Sequence, residues 1–271
     1  MYGINLISRS IGSNKANIVF ADSYITITTE KKVNYKTNTV STSVKNATQH
    51  GLLVTKGEMD KLGWMGGNTS ISEIVDLNRC LLKYGITNKA SITLFLATAM
   101  FETDYGRLHV ENWSSSSEYE FGERGVGAVQ TTHYNDHYKF IRDMGDYTEL
   151  KGVSTADYIN NNFSFWEIGT WEWIGKRLPG KEIMTGSGYD INSLIVELGI
   201  NKNVFLASQL YVNNGVCQER NVRNIAINGE SATTRRPNNW NSRVNPNGTR
   251  NDKTRLEMYD KAKANYYDGR R

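Results

Sequence analysis

The sequence predicts a mainly α-helical protein with a small β-rich arm at its N-terminus. In residues 24–29 apolar and polar side chains alternate as YITITT, which is the period of a strand with one buried face. From Met59 onward apolar side chains instead recur every three or four residues, as they do in an amphipathic helix. This change of period divides the chain into a β-rich arm, residues 1–57, and a larger helical unit, residues 58–271.

The arm is rich in Ser, Thr, Asn, Val and Ile and carries no catalytic motif. Two of its runs, Asn17–Ala21 and Tyr24–Thr29, have the composition of strands. A third strand is expected within Lys31–Val44. An arm of this kind is a candidate docking segment for partner chains.

Helices are predicted in the larger unit from capping and apolar spacing. Ser70 and Glu73 have the S-x-x-E spacing of a capping box, and Gly85 is placed to end the helix that follows. A second helix is expected from Lys89 to Glu102, with a dense apolar pattern. Further helical segments are expected around Tyr138–Met144, Tyr158–Trp173, Val204–Asn213 and Arg255–Tyr266. Three segments are expected to be loops: 103–130, 176–190 and 229–254.

Charge and composition exclude several classes of protein. The chain has 271 residues and a net charge of +4, with no run of Lys or Arg longer than two, so a nucleic-acid partner is not expected. The mild positive charge favours an anionic surface such as a bacterial envelope. Residues 1–15 lack the pattern of a signal peptide, and no apolar stretch has the length of a membrane span. We therefore expect synthesis in the cytoplasm, no membrane insertion, and delivery to a cell wall by another agent.

The cysteines and histidines of the sequence do not form the pattern of a metal site. Cys80 and Cys217 follow no metal-ligand spacing. Cys80 lies in an apolar helical pattern, which favours a buried thiol, although a disulfide between the two cysteines stays open. His133 and His137 are four residues apart, but Asp136 lies elsewhere on the same helical turn and no third ligand is near. We expect no metal and no cofactor.

Glu102 is the first candidate for catalysis. A glycosidic bond is cleaved by one carboxyl that donates a proton and a second that activates water or attacks directly. The end of an apolar helix provides the partial burial that a proton donor needs, although a helix-terminal glutamate can also be simply exposed. Candidates for the second carboxylate follow in the next loop: Asp104, Glu111, Glu118, Glu120 and Glu123.

Aromatic residues allow two interpretations. Trp166, Trp171 and Trp173 could stack on sugar rings, or they could fill the core of a helical unit. A Trp-rich helical segment is more often part of the core, and we favour that interpretation.

Several segments in order along residues 58–266 resemble glycoside hydrolase family 19, which includes chitinases and phage endolysins. The segment 95–103 (FLATAMFET) resembles the family helix that ends in His-Glu-Thr, and 125–133 (GVGAVQTTH) resembles its G-R-G-x-I-Q-L-[ST] element. Four further segments carry the likeness: the entry helix 77–87, the E-N-L-x-Y-S-like 111–115, the I-N-G-like 227–229 and the R-x-x-x-Y-like 255–259.

The resemblance implies a lysozyme-like, two-lobed helical fold with a sugar cleft. It implies that Glu102 is the general acid and Glu111 the second carboxylate, with Glu120 or Glu123 in that role if the chain follows the plant-type pattern. It further implies three groups of supporting residues. Gln130 and Thr132 would line the cleft, Asn228 would contact sugar, and Arg255 would support the acidic cluster.

The chain departs from the family pattern at several positions. Phe101 stands where a histidine is usual, and Val126 replaces the arginine of G-R-G, with Arg124 two positions earlier. Glu230 replaces a glycine, and an Asn- and Arg-rich insertion precedes the last helix.

The functional prediction is hydrolysis of a β-1,4-linked amino-sugar polymer, with bacterial peptidoglycan favoured over chitin. Two alternatives remain. The chain could be a glycan-binding or structural subunit of a phage tail or injection machine, docked through residues 1–57, or it could be a lytic transglycosylase that needs a single carboxyl.

Overall fold

The computed structural model describes the chain as four strands, of which only the backbone is described, followed by a set of helices. The described residues are 6–9, 15–20, 23–34 and 39–51 in the strands, and then 52–111, 124–150, 154–175, 190–213, 219–229 and 254–269. This part of the chain is mainly helical after residue 51, which confirms the helical class predicted from the sequence.

The N-terminal strands form one antiparallel sheet. They are β1 (Leu6–Arg9), β2 (Lys15–Phe20), β3 (Ser23–Asn34) and β4 (Thr39–Gly51), paired in the order β1-β2-β3-β4. The two runs predicted as strands lie largely in β2 and β3.

A further strand, β4, begins within Lys31–Val44 as predicted, but it starts at Thr39 and continues to Gly51, while the first part of the range belongs to β3. This range spans the end of β3 and the start of β4, which pair with each other, so that Val33 lies opposite Val40. Backbone pairing with β4 extends β3 beyond the alternating YITITT run into a polar segment that lacks the sequence signal.

Ten α-helices are described, with a 3-10 turn and a π-helical turn. Their bounds are α1 Lys56–Leu62, the 3-10 turn Trp64–Gly67, α2 Ile71–Lys83, α3 Lys89–Glu102, α4 Tyr134–Asp143, α5 Thr155–Asn162, α6 Phe165–Gly175, α7 Ile191–Leu198, α8 Lys202–Asn213, α9 Glu219–Asn228, α10 Arg255–Ala262 and the π turn Lys263–Tyr267. The longest described helix, α3, has 14 residues, and none of the described helices could cross a membrane.

The predicted helices α2 and α3 are confirmed, including the left-handed Gly85 after α2. The capping box at the start of α2 is only half formed. The Ser70 hydroxyl accepts a hydrogen bond from the Glu73 amide at 3.1 Å, but the Glu73 carboxylate accepts one from Trp64 Nε1 at 2.6 Å instead of returning to Ser70. A buried indole N–H thus competes successfully with the capping position for this carboxylate.

Other helix boundaries differ from the prediction. The segment Tyr158–Trp173 forms two helices, because Ser164 accepts hydrogen bonds from the Trp166 and Glu167 amides and starts α6 anew. The final helix becomes π-helical after Ala262. Five further helices differ from the prediction. Helix α1 begins at 56 rather than 59, where Thr55 and Glu58 form a capping box, α4 begins at 134, α8 begins at 202, and neither α7 nor α9 is predicted.

Helix α3 lies at the centre of the helical unit. Every residue from 90 to 100 is buried, so the helix is enclosed on all sides rather than on one face. It packs against α7, α8 and α10. The core interpretation of Trp166, Trp171 and Trp173 is confirmed, since all three are buried. Cys80 is also buried and free, whereas Cys217 lies outside the described residues.

Candidate functional site

Glu102 is the last residue of α3, where the enclosed helix reaches the edge of the core. Its side chain is 14% exposed and is paired with Arg255, the first residue of α10. The Arg255 guanidinium donates from Nη1 to Glu102 Oε1. The other carboxylate oxygen, Oε2, makes no hydrogen bond with the described residues. The Glu102 carboxyl is therefore partly buried, with one oxygen bound to the arginine and the other open to a further hydrogen bond.

A chain of buried polar groups anchors this ion pair. Arg255, 8% exposed, also donates from Nη1 to Gln209 Oε1 at 2.7 Å. Gln209 Nε2 donates to Thr98 Oγ1 at 2.6 Å, and the Thr98 hydroxyl donates to the Leu94 carbonyl at 2.9 Å. The chain links α3, α8 and α10, and it holds the guanidinium in one orientation toward Glu102.

Phe101 adds a second contact to the same arginine. The Arg255 Cζ atom lies 4.0 Å from the centroid of the Phe101 ring, within the range of a cation–π interaction. Phe101 occupies the position at which the family 19 pattern has histidine. Its ring places an aromatic face beside the ion pair.

The backbone turns sharply directly after Glu102. Asp104 (φ 47°) and Tyr105 (φ 59°) are both left-handed, as is Gly106 (φ 84°). Left-handed conformations are costly for residues other than glycine and concentrate at functional sites. At Gly106 a Cβ atom would lie 2.5 Å from the Trp64 ring, so the backbone needs glycine there for both conformation and space.

Glu111 lies at the end of the segment that follows this turn. Its amide donates to the Gly125 carbonyl at 2.8 Å, and its Oε2 atom accepts from the Gly125 amide at 3.2 Å. Two backbone bridges continue this pairing, Val110 with Val126 and Val126 with Thr131. The structure therefore fixes Glu111 on a bridged element next to the segment that carries Gln130.

Gln130 and Thr132 stabilise that element. Gln130 has φ 52°, and its Nε2 atom donates to the carbonyls of Leu108 (3.3 Å) and Gly127 (3.0 Å). The Thr132 hydroxyl donates to the Gln130 carbonyl at 2.9 Å. Both side chains are half-buried, so each retains some exposed surface.

His137 is held in the core. It is fully buried, and its ring nitrogens lie 2.8 Å from Thr155 Oγ1 and 2.8 Å from the Thr131 carbonyl. A nitrogen that faces a carbonyl must carry the proton, so His137 donates there. His133 is exposed at the start of α4. No group of three or more His, Cys, Asp or Glu in the described ranges could hold a metal ion.

Asn228 and Arg124 lie in local pairs. Asn228 ends α9, is exposed, and donates from Nδ2 to Asn224 Oδ1 at 2.7 Å. Arg124 pairs with Asp157 on α5, and Val126 is buried. The structure brings Glu102 and Arg255 into contact, whereas Asn228 makes no described contact with either of them.

Three of the predicted acidic candidates, Glu118, Glu120 and Glu123, lie outside the described residues. The glycine-to-Glu230 departure and the Asn- and Arg-rich insertion also lie there. Asp104 is described, and it pairs with Arg107 Nη1 at 3.2 Å.

Sequence reasoning missed Gln209, Thr98 and Glu73. Gln209 and Thr98 are buried polar residues within apolar helices, and a polar residue in such a run is the signal that could have identified them. Glu73 was assigned to a helix cap alone. Burial raises its pKa, more strongly than the Trp64 hydrogen bond and the nearby His109 lower it, and Asp76 adds to the rise.

No protein-family profile matches the chain, and no curated protein matches it. Membership of glycoside hydrolase family 19 therefore stays a prediction from the ordered motifs. The functional argument rests on the arrangement around Glu102.

Proposed function

We propose that the chain is a glycoside hydrolase that cleaves a β-1,4-linked amino-sugar polymer, with bacterial peptidoglycan as the first substrate and chitin as the second. The observation that carries this proposal is the arrangement of Glu102. Its carboxyl ends a helix that is buried from residue 90 to residue 100, remains partly accessible, and is bound through one oxygen to an arginine that is itself anchored in the core.

In this mechanism Glu102 takes up a proton on Oε2 while Oε1 stays bound to Arg255, and it then donates that proton to the leaving glycosidic oxygen. The carboxylate that remains is bound by Arg255, which already lies against Oε1. Because Gln209 and Phe101 hold the guanidinium, little reorganisation is needed as the charge develops. Glu102 Oε2 is the oxygen available to the sugar.

Glu111 is proposed as the second carboxylate, which activates water or attacks the sugar. Its hydrogen bond from the Gly125 amide fixes its position while leaving Oε1 without a partner among the described residues. The sequence also allows Glu120 or Glu123 in this role.

A lysozyme-like, two-lobed architecture is part of the proposal. The central α3, with Glu102 at its end, and the bridged element of Val110, Val126 and Thr131 are compatible with a helical lobe beside a smaller extended one. Gln130 and Thr132 on the bridged element, and Asn228 on α9, would then contact sugar.

The test is loss of turbidity of purified peptidoglycan and of colloidal chitin. Glu102→Gln is expected to lower the rate by about 10²–10⁴-fold, the usual cost of losing a general acid. The matched control is Glu197→Gln, since Glu197 also binds an arginine, Arg223, at 2.7 Å, but on the exposed surface of another helix. This control is expected to keep the wild-type rate.

The same assay separates the alternatives. If Glu111→Gln, Glu120→Gln and Glu123→Gln each keep the wild-type rate while Glu102→Gln loses it, a lytic transglycosylase with a single essential carboxyl replaces the two-carboxylate hydrolase. If the wild type clears neither polymer but sediments with insoluble peptidoglycan, a glycan-binding subunit takes the place of the enzyme.

A particle-bound role is the second candidate function, and the N-terminal sheet favours it. In that sheet β1 and β4 are edge strands, whose backbone groups can pair with strands of another chain. Residues 1–57 would then dock the protein in a phage tail or injection machine that acts at the cell wall. Stable co-purification with such particles tests this role independently of turnover.

A further inference from the structure

A cleft of about 450 Å³ lies between α2 and α6, formed by different residues from those around Glu102. Its walls carry charged side chains, a histidine and aromatic side chains. Helix α2 contributes Glu73, Asp76 and Arg79, the segment before Glu111 contributes His109, and the start of α6 contributes Phe165 and Trp166.

Most charges in this cleft are already neutralised by each other. Asp76 Oδ1 accepts from Arg79 Nη2 at 2.7 Å, and its Oδ2 accepts from the Ser164 hydroxyl. Arg79 also donates to Glu167 at 3.1 Å. Because both signs are present and paired, the cleft favours a neutral polar ligand over a free ion.

Glu73 and His109 keep hydrogen-bonding capacity. The Trp64 indole N–H donates to Glu73 Oε1, whereas Glu73 Oε2 has no hydrogen-bond partner among the described residues. His109 is exposed, and its ring makes no hydrogen bond within the described part of the chain. Burial also raises the pKa of Glu73, which makes its carboxyl a donor as well as an acceptor over a wider range of pH.

The aromatic groups form an angled wall beside these polar groups. Phe165 is half-buried, its ring centroid lies 4.7 Å from that of His109 with the two rings tilted by 34°, and its ring plane lies at 86° to that of Trp166. Trp166 is 1% exposed, and its indole N–H has no hydrogen-bond partner among the residues that the structure describes. An aromatic wall with a few convergent polar groups is the usual composition of a small-molecule site.

We propose that this cleft is a second saccharide-binding site, which holds one neutral pyranose ring against Phe165 with its hydroxyls bonded to Glu73 and His109. The choice of an amino-sugar polymer as the source of that ring rests on the proposed function. The site would hold the polymer without taking part in bond cleavage.

The test uses the full-length chain with Glu102→Gln, which removes turnover, and a soluble tetramer of N-acetylglucosamine as the probe. The indole N–H of Trp64 donates to Glu73 and reports on the cleft, and its NMR signal is one of only six such tryptophan signals. Titration is expected to shift this signal to saturation. His109→Ala, added to Glu102→Gln, is expected to weaken binding by about five-fold or more, the loss of roughly one hydrogen bond.

Glu197→Gln in the same background is the matched control and is expected to leave the affinity unchanged. An unshifted Trp64 signal, or equal affinity in all variants, overturns the second site. Clearing of peptidoglycan by the wild type is measured in parallel. If the wild type clears peptidoglycan but the Trp64 signal does not shift, only the second site is overturned. If the signal shifts in a way that depends on the cleft residues, but the wild type does not clear peptidoglycan, only the hydrolase is overturned.

Discussion

The guanidinium of Arg255 stacks on the ring of Phe101, with 4.0 Å between the Cζ atom and the ring centroid. This contact gives a physical role to the residue that departs from the family 19 pattern. Phe101→Leu keeps an apolar side chain but removes the aromatic face, so we expect a loss of about 0.5–2 kcal/mol in the free energy of unfolding. Turnover should also fall, because Arg255 orients Glu102.

The matched control for this change is Phe163→Leu. Phe163 packs edge-on against Phe140 at 5.2 Å. Denaturant unfolding measures both variants, and activity is compared on the same polymer. Equal activity of the two variants would show that the contact with Arg255 does not matter for the site.

Removal of Arg255 should lower the free energy of unfolding. Arg255→Ala leaves Glu102 as a charge without its partner in a largely buried place, which costs about 3–5 kcal/mol. The double variant Glu102→Gln with Arg255→Ala removes both charges and should recover much of that loss. Chemical denaturation of the two single variants and the double variant measures the coupling, and additive effects would contradict a buried ion pair.

The stability of the protein should respond to pH through Glu73. Its pKa is raised above the usual 4.5, mainly by burial, so the folded state holds this proton where the unfolded state has lost it. The stability that this proton provides is complete below the unfolded pKa and is lost as pH rises through the folded pKa. Glu73→Gln stays neutral, so its stability relative to wild type should improve from pH below 4.5 to neutrality.

Glu167 is the control for this prediction, because its pKa is shifted in the opposite direction. Burial opposes its ionisation, but Arg79 and Lys83 outweigh burial and lower its pKa. The stability it contributes is present above 4.5 and is lost as pH falls through the folded pKa. Glu167→Gln should therefore become less harmful as pH falls, and parallel trends for the two variants would contradict these assignments.

The turn after Glu102 should not tolerate a side chain at Gly106. Alanine there would need φ 84°, and its Cβ atom would lie 2.5 Å from the buried Trp64 ring. We expect Gly106→Ala to cost about 2–4 kcal/mol. Gly57→Ala is the control, because a Cβ atom there meets nothing within 4 Å. Thermal unfolding compares the two, and an equal effect would contradict the close approach.

The sequence predicted those helices and strands in which apolar residues recur at a regular spacing. Helix α3 has the bounds Lys89–Glu102 that the apolar spacing predicts, and β3 contains the whole YITITT run. Boundaries were missed where tertiary contacts decide them. Ser164 accepts a hydrogen bond from the Trp166 amide and so divides a continuous aromatic segment into two helices. The Glu73 carboxylate accepts a hydrogen bond from Trp64 instead of completing the capping box.

The candidate site was only partly predictable for the same reason. The position of Glu102 followed from the helix that precedes it. Its pairing with Arg255 was expected only in general terms from the family resemblance, and the support from Gln209 depends on three helices meeting in space. No spacing along the chain encodes a contact between residues 46 positions apart.

The most direct test of the central claim is digestion of peptidoglycan in water labelled with heavy oxygen, followed by mass analysis of the fragments. A hydrolase whose acid is Glu102 releases fragments that carry one labelled oxygen at the new reducing end. Glu102→Gln should then release almost none, and Glu197→Gln should match wild type. Unlabelled anhydro fragments, or labelled fragments released equally well by Glu102→Gln, would contradict the account.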